Sequence, residues 1–161
     1  YSRRIARGIC EARKGATVET SAELARIIWE SGRPDYRHGR IHPATRSFQA
    51  LRIFVNGELA RLQEALEGAV ETLLPGGRIG VISFHSLEDR IVKRFFQEKS
   101  KTCTCPPEQP ICTCGGRKIL NVVTRKPVVP EEEEVKANSP SRSAKFRVAE
   151  KVWHEEPEGE M

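Results

Sequence analysis

Pro75-Gly76-Gly77 does most to limit what this chain can fold into, because it separates a helical hydrophobic pattern from a strand-like one. Upstream, from about residue 45, Phe48, Leu51, Val55, Leu59, Leu62 and Leu66 recur at intervals of three and four. That spacing predicts a long helix with one buried face, followed by a short apolar helix ending at Leu73-Leu74. Downstream, residues 78–84 form a mostly apolar run of strand length. A strand apolar on both faces belongs in the middle of a sheet covered by helices, so the expected class is α/β with a parallel sheet. Ser86 then reads as a helix N-cap with Asp89 as its capping-box partner, opening a helix that buries Leu87, Ile91 and Phe95 and shows Arg90, Lys93 and Arg94.

The N-terminal part is helical in pattern. Ile5 and Ile9, with Ala6 and Ala12, give one apolar stripe that Gly15 ends. Thr20 with Glu23 makes a capping box for a second helix burying Leu24, Ile27 and Ile28. Residues 1–31 are thus a helical pair with no chemistry assigned to it. Residues 32–44, with Gly32, Pro34, Gly39 and Pro43, read as a connecting loop.

At 161 residues the chain is long enough for one domain with a core, and no apolar run approaches the roughly 20 residues of a membrane span. No signal peptide precedes the first helix, so a cytoplasmic location is expected, and the start at Tyr1 suits a fragment or processed product. Residues 1–100 hold 17 basic against 12 acidic side chains, whereas 101–161 hold 10 of each, which places the net charge of +5 in the first part. Within 33–52, Arg33, Arg37, Arg40, Arg46 and Arg52 stand against Asp35 alone, with His38 and His42 between them. A solvated basic surface accounts for such a patch. So does phosphate recognition, because each planar guanidinium can donate two parallel hydrogen bonds to phosphate oxygens. Gln49, Arg52 and Asn56 share one helical face with the spacing of a ligand contact, or of hydrogen bonds inside the fold.

Ser83, His85 and Ser86 lie at the C-terminal end of the strand, where ligands of open α/β sheets sit. Farther on, Cys103, Cys105, Cys112 and Cys114 fall within 12 residues and could hold zinc. Their Cys-x-Cys spacing is tighter than the usual zinc knuckle, so a reduced loop without metal over 101–118 is the other reading. Residues 119–124 and 146–152 read as strands, with a helix around 131–136 between them, and the acidic stretch 155–161 as a disordered tail.

Taken together, the run from His42 to Leu59, the run from Leu74 to Arg90 and the closing Asn138 to Arg147 resemble the MraW/RsmH family of S-adenosylmethionine-dependent methyltransferases. The resemblance implies methyl transfer to the exocyclic N4 amine of a cytidine in small-subunit ribosomal RNA. It implies a partial class I (Rossmann-like) methyltransferase sheet over 45–154 with part of an inserted helical domain at 1–31, and a last strand returning to the sheet edge. Gly76, Gly77 and Gly80 precede or enter a strand instead of linking one to a helix, so no cofactor-binding residue is expected in this chain. The resemblance therefore makes it the C-terminal part of such an enzyme, supplying the substrate side. His85 and Ser86 would border the cytosine pocket. Arg46, Gln49, Arg52 and Asn56 would meet the RNA, as phosphate contacts or by fixing the loop that makes them. The family usually has a second Arg in place of Ser139 or Ser141, which weakens an RNA role for that turn.

An incomplete sheet leaves strand edges exposed, which favours instability, dimerisation or exchange of elements, so a homodimer belongs among the expectations. Two other classes fit the same residues. One is a non-catalytic RNA-binding module, which would bind ribosomal RNA without cofactor affinity. The other is a zinc-stabilised interaction domain, which a chelator would unfold.

Overall fold

The computed structural model describes residues 1–32, 41–103, 105, 109 and 116–152. They fall into two compact units, Tyr1–Glu58 and Leu59–Met161.

The first unit is helical. Helix α1 (Ser2–Gly15) carries Arg13 and Lys14 in its last turn, where cations suit the negative end of the helix dipole. Helix α2 (Ser21–Ser31) opens with the expected capping box: Thr20 Oγ1 accepts from the Glu23 backbone N–H at 3.2 Å, and the Glu23 carboxylate accepts from Thr20 N–H at 3.2 Å. The backbone N–H of Glu19, which donates to the same carboxylate at 2.9 Å, and then that of Thr20 hold the Glu23 carboxyl below the ordinary carboxylate value. Helix α3 (Pro43–Asn56) starts two residues earlier than the periodicity suggests. Pro43 occupies the first turn, where its missing N–H costs nothing, and His42 Nδ1 caps the Ala44 N–H at 3.2 Å. The His42 ring also stacks on Trp29, 5.3 Å between centroids and 19° apart in plane. Ile5, Ile28 and Ala44 form the core, with Ile9, Leu24, Ala25 and Phe48 packed against it. The sequence boundary after residue 31 therefore falls inside this unit, because Ala44 and Phe48 bring α3 onto the helical pair.

The single long helix does not form. Gly57, at φ 62°, ends α3 in the left-handed conformation, and α4 (Glu58–Thr72) begins immediately after it. The apolar stripe breaks with it: Leu51 and Val55 are exposed, as is Phe54 beside them.

In the second unit, β1 (Arg78–Ser83), β2 (Leu120–Val122) and β3 (Lys145–Lys151) make a sheet in the order β1-β3-β2, with both pairings antiparallel. Two expectations are corrected here. First, among the described strands β1 is paired on one side only, antiparallel with β3, where parallel neighbours were expected. Its burial alternates, with Ile79, Val81 and Ser83 turned inward and Ile82 exposed. Second, β3 lies in the centre instead of at the edge, because its register serves both neighbours: Lys145 faces Ser83 and Ala149 faces both Ile79 and Val122.

Helices α4 and α5 (Ser86–Lys99) supply Leu66, Val70, Val92, Phe95 and Phe96 to a core completed by Leu120 and Ala149 from the sheet. Phe96 is 1 % exposed, and burying such a side chain stabilises the fold by roughly 1.5–3 kcal/mol. Lys151 Nζ donates to the carbonyls of Val70 at 2.8 Å and Leu73 at 2.7 Å, placing a cation at the C-terminal end of α4. Ile119 N–H donates to Lys99 O at 2.8 Å and joins the two ends of the cysteine-bearing segment. Short helix α6 (Glu132–Ala137), with three acidic residues in its first turn, and a 3-10 turn (Ser139–Ser143) lead into β3. Residues 155–161 lie outside the described residues.

Candidate functional site

The end of β1 and the first turn of α5 form the best-built cluster of polar side chains in the second unit. The N-cap of α5 is His85, one residue before the Ser86 expected from the sequence. His85 Nδ1 accepts from the Glu88 N–H at 3.2 Å, while Glu88 Oε2 accepts from the Phe84 and His85 N–H groups at 2.9 and 3.1 Å. An imidazole nitrogen does here what a Ser or Asp oxygen does in an ordinary capping box. Capping makes Glu88, not Asp89, the box partner and leaves Ser86 as the first helical residue, exposed.

The cap also assigns the tautomer of His85. A nitrogen that accepts carries no proton, so the neutral ring has its N–H on Nε2 and offers a donor there. Nε2 is buried and lies 3.2 Å from Glu88 Oε1, but off the line of a hydrogen bond, so among the described residues it has no hydrogen-bond partner.

Asp89, one turn along α5, was read in the sequence only as a capping partner. It is instead the centre of a buried charge cluster. Arg147 Nε reaches its Oδ1 at 2.7 Å and a second guanidinium nitrogen reaches Oδ2 at 3.3 Å, while Lys145 Nζ lies 3.2 Å from Oδ2. Arg147 is 6 % exposed and Asp89 8 %. The hydrogen bonds from Arg147, and then from Lys145, hold the Asp89 carboxyl below its ordinary value against the opposing effect of burial. Ser83 Oγ, also buried, donates to Lys145 O at 3.4 Å. The alternation of β3 could have identified Arg147, since it places Arg147 on the same inward face as Ala149.

In the first unit, α3 does bring Arg52 and Asn56 together, on a carboxylate that the sequence reading missed. Glu58 accepts from Arg52 Nε at 2.8 Å, from its second nitrogen at 3.1 Å and from Asn56 Nδ2 at 3.1 Å. The guanidinium fork is thus turned to a carboxylate. Gln49 is half-buried. Arg46 is exposed and makes no ion pair among the described residues, although it sits in the first turn of α3, where a cation opposes the helix dipole. Arg33, Arg37, Arg40 and His38 lie outside the described residues, as do Cys112 and Cys114. Cys103 Sγ accepts from the Cys105 N–H at 3.4 Å, and these two alone define no metal site.

The nucleotide-binding strand of an open α/β sheet runs through a glycine loop into a helix. No described strand has that sequel: β1 runs into the His85 cap, and its glycines precede it or lie within it.

Comparison with known proteins identifies the lineage of this arrangement. The chain is 54 % identical over 156 residues to ribosomal RNA small subunit methyltransferase H of Treponema denticola, a match covering 97 % of this chain and 50 % of that protein. The protein of the same name from Brevibacillus brevis is 53 % identical over 152 residues, 94 % of this chain and 48 % of the relative. That from Maridesulfovibrio salexigens is 53 % identical over 151 residues, 92 % of this chain and 46 % of the relative. The chain therefore spans about half the length of the curated relatives it matches. Residues 1–152, which take in the three capped helices and the Asp89–Arg147 cluster, match one family throughout, and the chain belongs to the MraW methylase family.

Proposed function

We propose that this chain is the substrate-side half of a methyltransferase that moves a methyl group from S-adenosylmethionine to the N4 amine of a cytidine in small-subunit ribosomal RNA. The observation that carries the reading is identity above 50 % to half of each of several proteins named ribosomal RNA small subunit methyltransferase H. Its finer points rest on geometry. The sheet β1-β3-β2 with α4 and α5 on one face suits part of a Rossmann-like methyltransferase domain, and the end of β1 is where such sheets bind ligands.

A cytosine amine is a weak nucleophile because its lone pair is delocalised into the ring. The site must therefore orient the nitrogen and accommodate the charge it develops. His85 is assigned the first task. With Nδ1 committed to the cap and Nε2 buried beside Glu88 Oε1, His85 suits an orienting donor that reaches a base once Glu88 gives way better than it suits a general base. Ser86, exposed beside it, is the second residue proposed for the pocket wall. Arg46 is proposed as the phosphate contact of the first unit. Gln49, Arg52 and Asn56 are proposed on the RNA side too, the latter two holding their end of α3 through Glu58 rather than gripping phosphate. An unstacked target strand would need such a basic surface to hold it.

Calorimetric titration of S-adenosylmethionine tests the division of labour. The 161-residue chain should give no binding heat, whereas the chain extended to the length of its relatives should bind cofactor and yield N4-methylcytidine in digested ribosomal RNA. Binding by the short chain would overturn the assignment of this half to the substrate.

A further inference from the structure

The Asp89 cluster has no role in the account above, yet it is the most expensive polar arrangement in the second unit. Two charged side chains left only 8 % and 11 % exposed lose most of their hydration, and a hydrophobic pair of similar volume would often be as stable. Its placement is what recommends it. Asp89 N–H donates to His85 O at 3.1 Å while its carboxylate is held by Arg147 and Lys145 of β3. The backbone of β3 is in turn tied to the end of β1 where Ser83 meets Lys145 O. The segment 83–86 is therefore fixed from both sides. Through Ser83 it is held to the strand, and through Asp89 the first turn of α5 is held to the same residue pair of β3. A bidentate guanidinium resists rotation as well as separation, which a single ammonium contact or apolar packing would not.

We infer that Asp89, clamped by Arg147, is a positioning residue for the His85 turn, so that the proposed methyl transfer depends on it without contact to substrate. The inference rests on His85 lying in the RNA pocket, as proposed above. Asp89 sets the height of the turn over β3, and the cap sets the ring on the turn.

Two readouts test it. In the full 161-residue chain, ring-nitrogen chemical shifts report which nitrogen of His85 is protonated. In the chain extended to the length of its relatives, kcat and the KM for cofactor report the reaction. Asp89→Asn should replace the single Nε2–H tautomer by a mixture and lower kcat roughly ten- to a hundredfold, with the cofactor KM changed less than about twofold. Because Asp89→Asn leaves Arg147 buried without a counter-charge and could unfold the chain, the double variant Asp89→Asn/Arg147→Gln is measured beside it. An amide pair of similar shape keeps a hydrogen bond without the charge, so the double variant should fold and still show the loss of kcat.

An unchanged tautomer in the folded variant overturns the clamp. A disturbed tautomer with full turnover overturns the link to the reaction. If the unsubstituted extended chain fails to methylate RNA, the proposed function falls and this inference with it. That failure is distinct because it needs no substitution to be seen.

Discussion

His85 illustrates how one side chain can serve the fold and the chemistry at once, and why alanine is a poor probe of it. Removing the ring also removes the cap of α5, which costs about 1 kcal/mol in such positions. Asparagine is among the best N-caps and has no imidazole. His85→Asn should therefore keep the chain's urea midpoint near the original while abolishing most turnover in the extended enzyme, whereas His85→Ala lowers both. Full turnover in His85→Asn would reduce the histidine to a cap. Arg46 is the simpler case. As a phosphate contact, its replacement by Ala should weaken binding to ribosomal RNA fragments of any sequence and lower the slope of log affinity against log salt by about 1. A slope unchanged from the original would leave Arg46 a solvated surface residue. For Asp89 the sign follows from the depressed carboxyl. A group held below its ordinary value of 3.8 contributes stability above that value and loses it as pH falls through the depressed one. Breaking a buried pair from one side costs about 3–5 kcal/mol. The deficit of Asp89→Asn in urea unfolding should accordingly be full near pH 7 and smaller near pH 3. Equal deficits at both would mean that the ion pair carries none of it.

Gly57 decides the element scale. Its φ of 62° turns what would be one amphipathic helix into α3 and α4, and a Cβ built there meets nothing within 4 Å, so the cost of Gly57→Ala is conformational alone. It should be roughly 1–2 kcal/mol. Gly68 is the internal control: it lies inside α4, also in open space, and Gly68→Ala should stabilise by roughly 0.5–1 kcal/mol. Opposite shifts of the two urea midpoints are expected; a stabilised Gly57→Ala would mean that the helix break is not needed. The same residue shows where the sequence was readable. Capping of α2 by Thr20 and Glu23, the ends of α1 and the three strands follow from local signals of composition and spacing. The break at Gly57 was missed because Val55 and Leu59 keep the helical interval across it, and a glycine within an intact period is silent until its φ is known. Asp89 was missed for a different reason. Its partners Arg147 and Lys145 are 58 and 56 residues away, and only the antiparallel register that makes β3 central brings them to α5. Periodicity identified 146–152 as a strand, but it carries no information on which neighbours that strand takes.

For the whole molecule the open question is the free side of β1. This strand of six residues has no proline, and its one charged side chain is Arg78 at the start. Natural edge strands are usually protected by charge, bulges or cover, and an unprotected one pairs with whatever strand is offered. Beyond its end, Phe84 is exposed, as are Ile82 within it and Val128 and Val129 nearby. Together with Pro130, Glu134, Ala144 and Phe146, the residues Ile82, Val128 and Val129 line a small hollow that lies toward β3 and not along the free side of β1. The chain spans about half the length of the curated relatives it matches, and under the proposed division of the enzyme a strand from the other half would take this side of β1. Hydrogen exchange distinguishes this from a finished edge. Amides of β1 that β3 does not take should exchange rapidly in the 161-residue chain, at rates close to those of open backbone. They should become protected by orders of magnitude when the chain is extended to the length of its relatives. Protection that rises with concentration in the short chain alone would instead point to pairing between copies of the chain. Rapid exchange persisting in the extended form would mean that β1 is a true edge, and that the remaining half of the enzyme attaches elsewhere.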